Sequence, residues 1–217
     1  MKKKLIFWGG TGQAIVNREI IDLLNYELVA IFDDTKNLKS PFKDIKVYTG
    51  WEGFDSWKVG KDLSKYFFSI AIGNPNGDIR IKIAEKLKCY GLTPINLIHP
   101  SAIINKGTII GEGVQIMAGV VIQARVVIGK QCIINTKASI DHEVVLGDGC
   151  EVGPGATLCG NIHLDNNVWI CAGATILPHL EVGTNSIIGA GSLLTKNVTS
   201  NQMFYGVPAN FKKKIIK

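Results

Sequence analysis

The chain has 217 residues, room for two small domains or one larger one. Hydrophobic residues make up 46% and charged residues 19%, the balance of a chain that folds around a buried core and not of a disordered one. The formal charge of +6 sits largely at the ends, in Lys2–Lys4 and in the segment Phe211–Lys217, with no interleaved basic and aromatic stripe between them. That distribution argues against a nucleic-acid partner and leaves the C-terminal lysines as a solvated tail beside, at most, a phosphate-rich small ligand.

The first segment, Met1-Lys2-Lys3-Lys4-Leu5-Ile6-Phe7-Trp8, begins like a signal peptide, but Gly9, Gly10 and Gly12 interrupt the apolar run too early for a secretory core. No apolar stretch reaches the roughly 18 residues of a membrane span, so a cytoplasmic protein is expected. Lys4–Gly9 reads as a strand, Gln13–Asn25 as a helix and Leu28–Asp33 as a second strand. Tyr66–Gly73 is a third apolar run, and Asn74-Pro75-Asn76-Gly77 leads into a helix over Asp78–Tyr90. Together these form a βαβαβ unit with a small parallel sheet, a Rossmann-like α/β domain over residues 1–97.

Within it, Gly9-Gly10-Thr11-Gly12 turns from the first strand into the first helix, where backbone N–H groups can approach a phosphate. Asp33 lies about 20 residues on, where dinucleotide enzymes read a ribose. The full glycine fingerprint is missing and the domain is half the usual size, so a nucleotide diphosphate or nucleotide-sugar fits better than NAD. A tight turn without a ligand is the alternative.

From residue 98 the period changes to six. Every sixth residue from Ile98 to Leu194 is aliphatic, seventeen in succession, and the residue two before each is usually small or β-branched, as at Val114, Val120, Cys132 and Ala138. Side chains two apart share one face of a strand. Such a pair every six residues describes short strands joined by turns, three to a coil of 18, with the aliphatic columns stacked into one core. Hexapeptide parallel β-helices are built this way, and residues 98–217 hold five to six coils followed by the short basic tail. The five cysteines, Cys89, Cys132, Cys150, Cys159 and Cys171, show no Cys-x-x-Cys spacing and read as reduced, mostly buried thiols.

Of the histidines, His142, His163 and His179 are separated by 21 and 16 residues, which does not suit a metal set on stacked coils, and no metal is expected. His142 falls two after the inward Ile140, at a corner pointing out of the coil, between Asp141 and Glu143. A neutral imidazole with a carboxylate partner is a suitable base for an amine or a hydroxyl. Gly160 follows one coil later and stacks over it, where its N–H can stabilise an oxyanion. A functionless surface histidine is the alternative.

These residues resemble a known family. Gly10-Thr11-Gly12-Gln13, Phe32-Asp33-Asp34, Ala71-Ile72-Gly73-Asn74, Asn96-Leu97-Ile98-His99, Asn135-Thr136, Asp141-His142-Glu143, Cys159-Gly160-Asn161 and Tyr205-Gly206-Val207-Pro208-Ala209 are similar, in order and across both domains, to bacterial nucleotide-sugar acetyltransferases of the PglD/NeuD type. The resemblance implies a left-handed β-helix and a homotrimer with active sites between neighbouring helices. It implies His142 as general base, Glu143 as its partner and the Gly160 N–H on the acetyl carbonyl. Thr11, Gly12 and Gln13 would lie near the phosphates of the nucleotide-sugar, Asp33 and Asp34 near its base, with Gly73 beside them. Acetyl-CoA would be the co-substrate, running past Ala172 and Ala190. Glu151 stands where members often carry a second histidine near the thioester, and Gln13 stands where some carry a loop histidine.

The implied chemistry is direct transfer of acetyl to the amino group of a nucleotide-linked sugar, of the UDP-4-amino-4,6-dideoxy kind, for surface glycans. No cysteine falls beside His142 by phase, which argues against an acyl-enzyme. The rivals are O-acetylation of a sugar hydroxyl, as on a sialic acid, and a non-catalytic scaffold that senses a nucleotide-sugar.

Overall fold

A computed structural model describes residues 2–73 and 75–216; the Asn74 of the sequence motif lies outside the described residues. The chain divides into two compact units, one of residues 1–73 and 82–97, the other of residues 74–81 and 98–217.

In the first unit the apolar runs become β1 (Lys3–Trp8), β2 (Tyr26–Asp33) and β4 (Tyr66–Ile70), joined by α1 (Gly12–Asp22). Three elements lack a sequence signature: β3 (Val47–Thr49) and α2 (Gly50–Trp57) fill the stretch before β4, and β5 (Thr93–Pro94) follows α3 (Gly77–Cys89). The five strands lie in the order β3-β2-β1-β4-β5 and pair in parallel throughout. Helix α1 stops at Asp22, short of the expected Asn25. There Leu23 and Leu24 donate tightened bonds to the carbonyls of Ile20 and Ile21, and Tyr26 already belongs to β2. One face of the sheet is an aromatic core: Trp8, Phe32, Phe54 and Phe68 are buried, with Trp8 and Phe32 stacked at 5.6 Å. Strand order reverses between β1 and β4, so the loops after these two strands flank the crevice where parallel sheets of this kind hold ligands.

The second unit is a left-handed parallel β-helix of seventeen two-residue strands, β6 (Leu97–Ile98) to β22 (Leu193–Leu194), each ending on a residue of the aliphatic period. Registers are offset by one coil throughout: Ile122 pairs with Ile104 below and Ile140 above. The inward columns are dry, with Val114, Ile116, Val120, Cys132, Ile140 and Leu158 all within 1% of complete burial. Burying one such aliphatic side chain contributes about 1.5–3 kcal/mol.

What turns the chain is a residue in the left-handed region three after each inward aliphatic. Arg125, Gln131, Lys137, Glu143, Asn161, Asn167, His179 and Asn185 have φ between 54° and 61°, and glycines hold most of the equivalent places. From Gln131 onward each of these donates its N–H to a carbonyl on the preceding coil, as Glu143 does to Ala124 at 3.0 Å and Asn161 to His142 at 2.8 Å.

Two features differ from the sequence reading. The C-terminal lysines are not a loose tail: β23 (Gln202–Gly206) and β24 (Ala209–Lys214) form an antiparallel hairpin, and β23 extends a coil sheet by pairing with Ile187–Ile188. Phe204 is buried against the last coil and its ring meets Phe211 at 6.0 Å, which anchors the hairpin. The thiols are free but not mostly buried: Cys132 and Cys150 are buried, Cys159 and Cys171 half-buried, and Cys89 on α3 is exposed. Among the described residues no helix is long and apolar enough to cross a membrane.

Residues 74–81 belong with the β-helix because of Arg80. Its guanidinium, fully buried, donates to the carbonyls of Gln131 (2.9 Å) and Gly149 (2.8 Å) and lies 3.7 Å from the Glu151 carboxylate. Replacing Arg80 with Ala leaves those carbonyls and a buried carboxylate without their cation. It should cost about 3–5 kcal/mol, read as a lowered urea midpoint; a loss under about 1 kcal/mol would show that water replaces the guanidinium freely.

Candidate active site

The coil that contains Ser139–Ile140 turns at Asp141-His142-Glu143. Asp141 starts the corner by accepting the His142 N–H at 2.8 Å, and Glu143 completes it in the left-handed conformation, φ 60°. Successive side chains normally diverge, but this bend brings Glu143 back beside its neighbour, with Oε2 3.1 Å from His142 Nδ1. An ionised Glu143 accepts a hydrogen from Nδ1, which leaves Nε2 with its lone pair. The hydrogen bond from His142, and then that from Arg125 (Nη1 to Oε1, 3.2 Å), hold the Glu143 carboxyl below the usual carboxylate range.

The other side of the imidazole faces Gly160. A Cβ on Gly160 would come within 2.5 Å of both Nε2 and Cε1, so only glycine lets the ring lie there. The Gly160 carbonyl accepts the N–H of His179 on the next coil, while its own N–H has no hydrogen-bond acceptor among the described residues. A proton acceptor and an uncommitted backbone donor therefore sit side by side, the buried Gly160 beneath a His142 side chain that is 56% accessible.

Cys159 precedes Gly160 and feels the charge of Asp141. Burial, and then Asp141, push its thiol up, so it is held protonated and is a poor nucleophile. His163 faces Asp165 (Nε2 to Oδ1, 3.3 Å), and His179 meets Asn161 (Nδ1 to Nδ2, 2.8 Å).

The residues expected along the coenzyme lie apart from His142. Ala172 and Ala190 are exposed on a different corner of the triangular coil, one above the other, and neither N–H has an acceptor among the described residues. Glu151 is turned away from solvent. It is 8% exposed, accepts from Asn135 Nδ2 at 3.0 Å and faces Arg80. Its carboxylate serves that buried network, because a strand position covered by Arg80 demands a counter-charge.

In the first unit, Gly9 (φ +104°) lies so close to the loop after β4 that a Cβ would meet the Ala71 oxygen at 2.2 Å. Asp33 does not offer a free carboxylate at the strand end. Its Oδ2 accepts from Gly10 N–H at 2.8 Å and its Oδ1 from Thr35 N–H at 2.9 Å, so it fixes the glycine loop from beneath. Asp34 is exposed, as are Thr11 and Gly12 at the start of α1. Gln13 donates to Asn17 Oδ1 at 3.3 Å, and Gly73 has open space where a side chain would be. The period of 18 could have found Arg125, which stands one coil before Glu143; the loop-fixing role of Asp33 has no sequence signal.

Comparison with known proteins agrees with this arrangement. Residues 4–87 match the PglD N-terminal domain, and residues 125–160 and 161–196 match the bacterial transferase hexapeptide (six repeats). Among solved structures, the chain is similar to GDP-perosamine N-acetyltransferase from Caulobacter crescentus, in complex with CoA and GDP-perosamine. The identity is 29% with a TM-score of 0.87, over 97% of each chain. It is similar to the acetyltransferase domain of PglB from Neisseria gonorrhoeae, in complex with acetyl coenzyme A, at 27% identity and TM-score 0.85, over 98% of this chain and 100% of that one. WeeI from Acinetobacter baumannii is 25% identical with a TM-score of 0.82, over 96% and 99%. The chain belongs to the bacterial hexapeptide-repeat transferases of the PglD/NeuD type.

Proposed function

We propose that the protein transfers acetyl from acetyl-CoA to the amino group of a nucleotide-linked amino sugar, a building block of surface glycans. The observation that carries this reading is the His142 ring, oriented by Glu143 at 3.1 Å and lying against Gly160 with its uncommitted N–H. His142 Nε2 takes the proton of the attacking amine as nitrogen bonds to the thioester carbon. The Gly160 N–H carries the charge that develops on the carbonyl oxygen. When the carbon–sulfur bond breaks, the imidazolium returns its proton to the departing thiolate. The unpaired N–H groups of Ala172 and Ala190 suit the amide carbonyls of a pantetheine arm. Because they stand on a different corner from His142, a groove between two copies would bring both corners to one donor. A homotrimer fits this need, and Ile103 and Ile109, 68% and 64% exposed on the first coils, suit burial against another copy. We place the enzyme in the cytoplasm, the compartment that supplies acetyl-CoA and keeps its five thiols reduced.

For the acceptor, the exposed Thr11 and Gly12 at the head of α1 are positioned for phosphates, with Gln13 and Gly73 beside them and Asp34 open to the base. The relative in complex with GDP-perosamine sets a GDP carrier beside the UDP carrier expected from the sequence, and experiment chooses between them. An amine acceptor is favoured over a sugar hydroxyl because the C. crescentus protein is an N-acetyltransferase and the match runs nearly end to end.

Two kinetic outcomes follow. His142→Ala should lower kcat by about 10²–10⁴-fold with the acetyl-CoA KM nearly unchanged. A variant retaining wild-type kcat would place the base elsewhere. In the first unit, Asp34→Ala should raise KM for the nucleotide-sugar while leaving the fold intact. Asp33→Ala should do the same and also loosen the loop, seen as faster amide exchange at Gly10 and Thr35. Equal changes in KM for acetyl-CoA would contradict a nucleotide role for either residue.

A further inference from the structure

Arg125 stands directly beneath Glu143, one coil lower and in the same left-handed corner, with φ values of 60° at both. Residues one coil apart are stacked at about one strand spacing, roughly 4.8 Å, so the fold leaves these two side chains no choice but to be neighbours. The left-handed region favours glycine and asparagine, and Asn161, Asn167 and Asn185 fill the same place on other coils. Gln131, Lys137 and His179 fill it as well, so the corner itself does not dictate an arginine.

The guanidinium makes one contact to a charged group: Nη1 lies 3.2 Å from Oε1 of Glu143, while Oε2 of the same carboxylate faces His142 Nδ1 at 3.1 Å. The two carboxylate oxygens are thus divided between the guanidinium and the imidazole. Without Arg125, a 45%-exposed Glu143 side chain has no second point of attachment and samples rotamers that leave Nδ1 unpaired. The imidazole then exchanges tautomers, and the fraction with its lone pair on Nε2 declines.

We infer that Arg125 is a positioning residue for the His142–Glu143 pair, holding the carboxylate in the one rotamer that fixes the imidazole tautomer. The inference rests on the proposed acetyl transfer at His142. It assigns to a residue outside the catalytic corner the second anchor of that corner, in the sequence Arg125–Glu143–His142. Because the guanidinium is 79% exposed, its effect is modest.

The test is a double-mutant cycle on the full-length protein, with steady-state rates measured at saturating acetyl-CoA and amino-sugar nucleotide. Arg125→Ala should lower kcat by about two- to fivefold, the scale of an exposed ion pair, with both KM values within about twofold of wild type. Arg125→Lys, which retains the charge and reach, should recover most of the loss. In a Glu143→Ala background, removing Arg125 should change kcat no further. Additive losses in the cycle would overturn the inference. So would a selective rise in the acetyl-CoA KM in Arg125→Ala, which would make the guanidinium a ligand for the donor's phosphates. If the wild-type protein transfers no acetyl at all, the proposed function fails first, and the cycle separates that result from a wild-type enzyme indifferent to Arg125.

Discussion

The coil-to-coil backbone ladder is the constraint on which everything else in the second unit rests. Each strand is only two residues long, so no single strand pair is stable alone, and register is enforced by repetition at 18 residues. The ladder closes only if the chain bends through about a third of a turn every six residues. A left-handed residue whose N–H bonds to the coil below accomplishes that bend, as in Gln131 to Glu112 and His179 to Gly160. Once the register is fixed, side chains far apart in sequence become vertical neighbours. His142 meets Gly160, and Glu143 meets Arg125, through this stacking alone.

The same constraint explains why the His142–Glu143 pair sits at a corner and not on a strand. A strand residue points either into the dry core or squarely outward, away from its neighbours. Only at the bend do consecutive side chains converge, and only there do backbone N–H groups escape the ladder. Gly160, Ala172 and Ala190 all occupy such positions. The fold leaves these donors at its corners unpaired, two of them at the exposed residues Ala172 and Ala190.

How far the sequence alone exposed this differs between the two units. The aliphatic period is unambiguous because one buried column allows no other residue type, and it located the corner of His142 and the stacking of Gly160. Arg80 was invisible, since a lone arginine at the start of a helix reads as a solvated charge until carbonyls on the second and third coils are seen around it. With it went the environment of Glu151, whose buried partners no spacing announces. In the first unit, Val47–Thr49 and Gly50–Trp57 were too short to show a period, and two glycines in α2 dilute its helical signal. Asp33 was legible as a position but not as a role. The end of the second strand suits a nucleotide ligand and a loop clamp equally, and the two backbone donors at 2.8 and 2.9 Å are what reveal the clamp.

The account stands on one chemical event, the arrival of an acetyl group on a sugar nitrogen. Supplying acetyl-CoA labelled with carbon-13 in its acetyl group, together with UDP- and GDP-linked 4-amino sugars, and following the product by carbon–proton correlation NMR observes that event directly. The account predicts that the labelled carbonyl becomes an amide coupled to the sugar N–H, with one equivalent of free coenzyme thiol released. A labelled ester on a sugar hydroxyl, or thiol release with the label left in acetate, would contradict it.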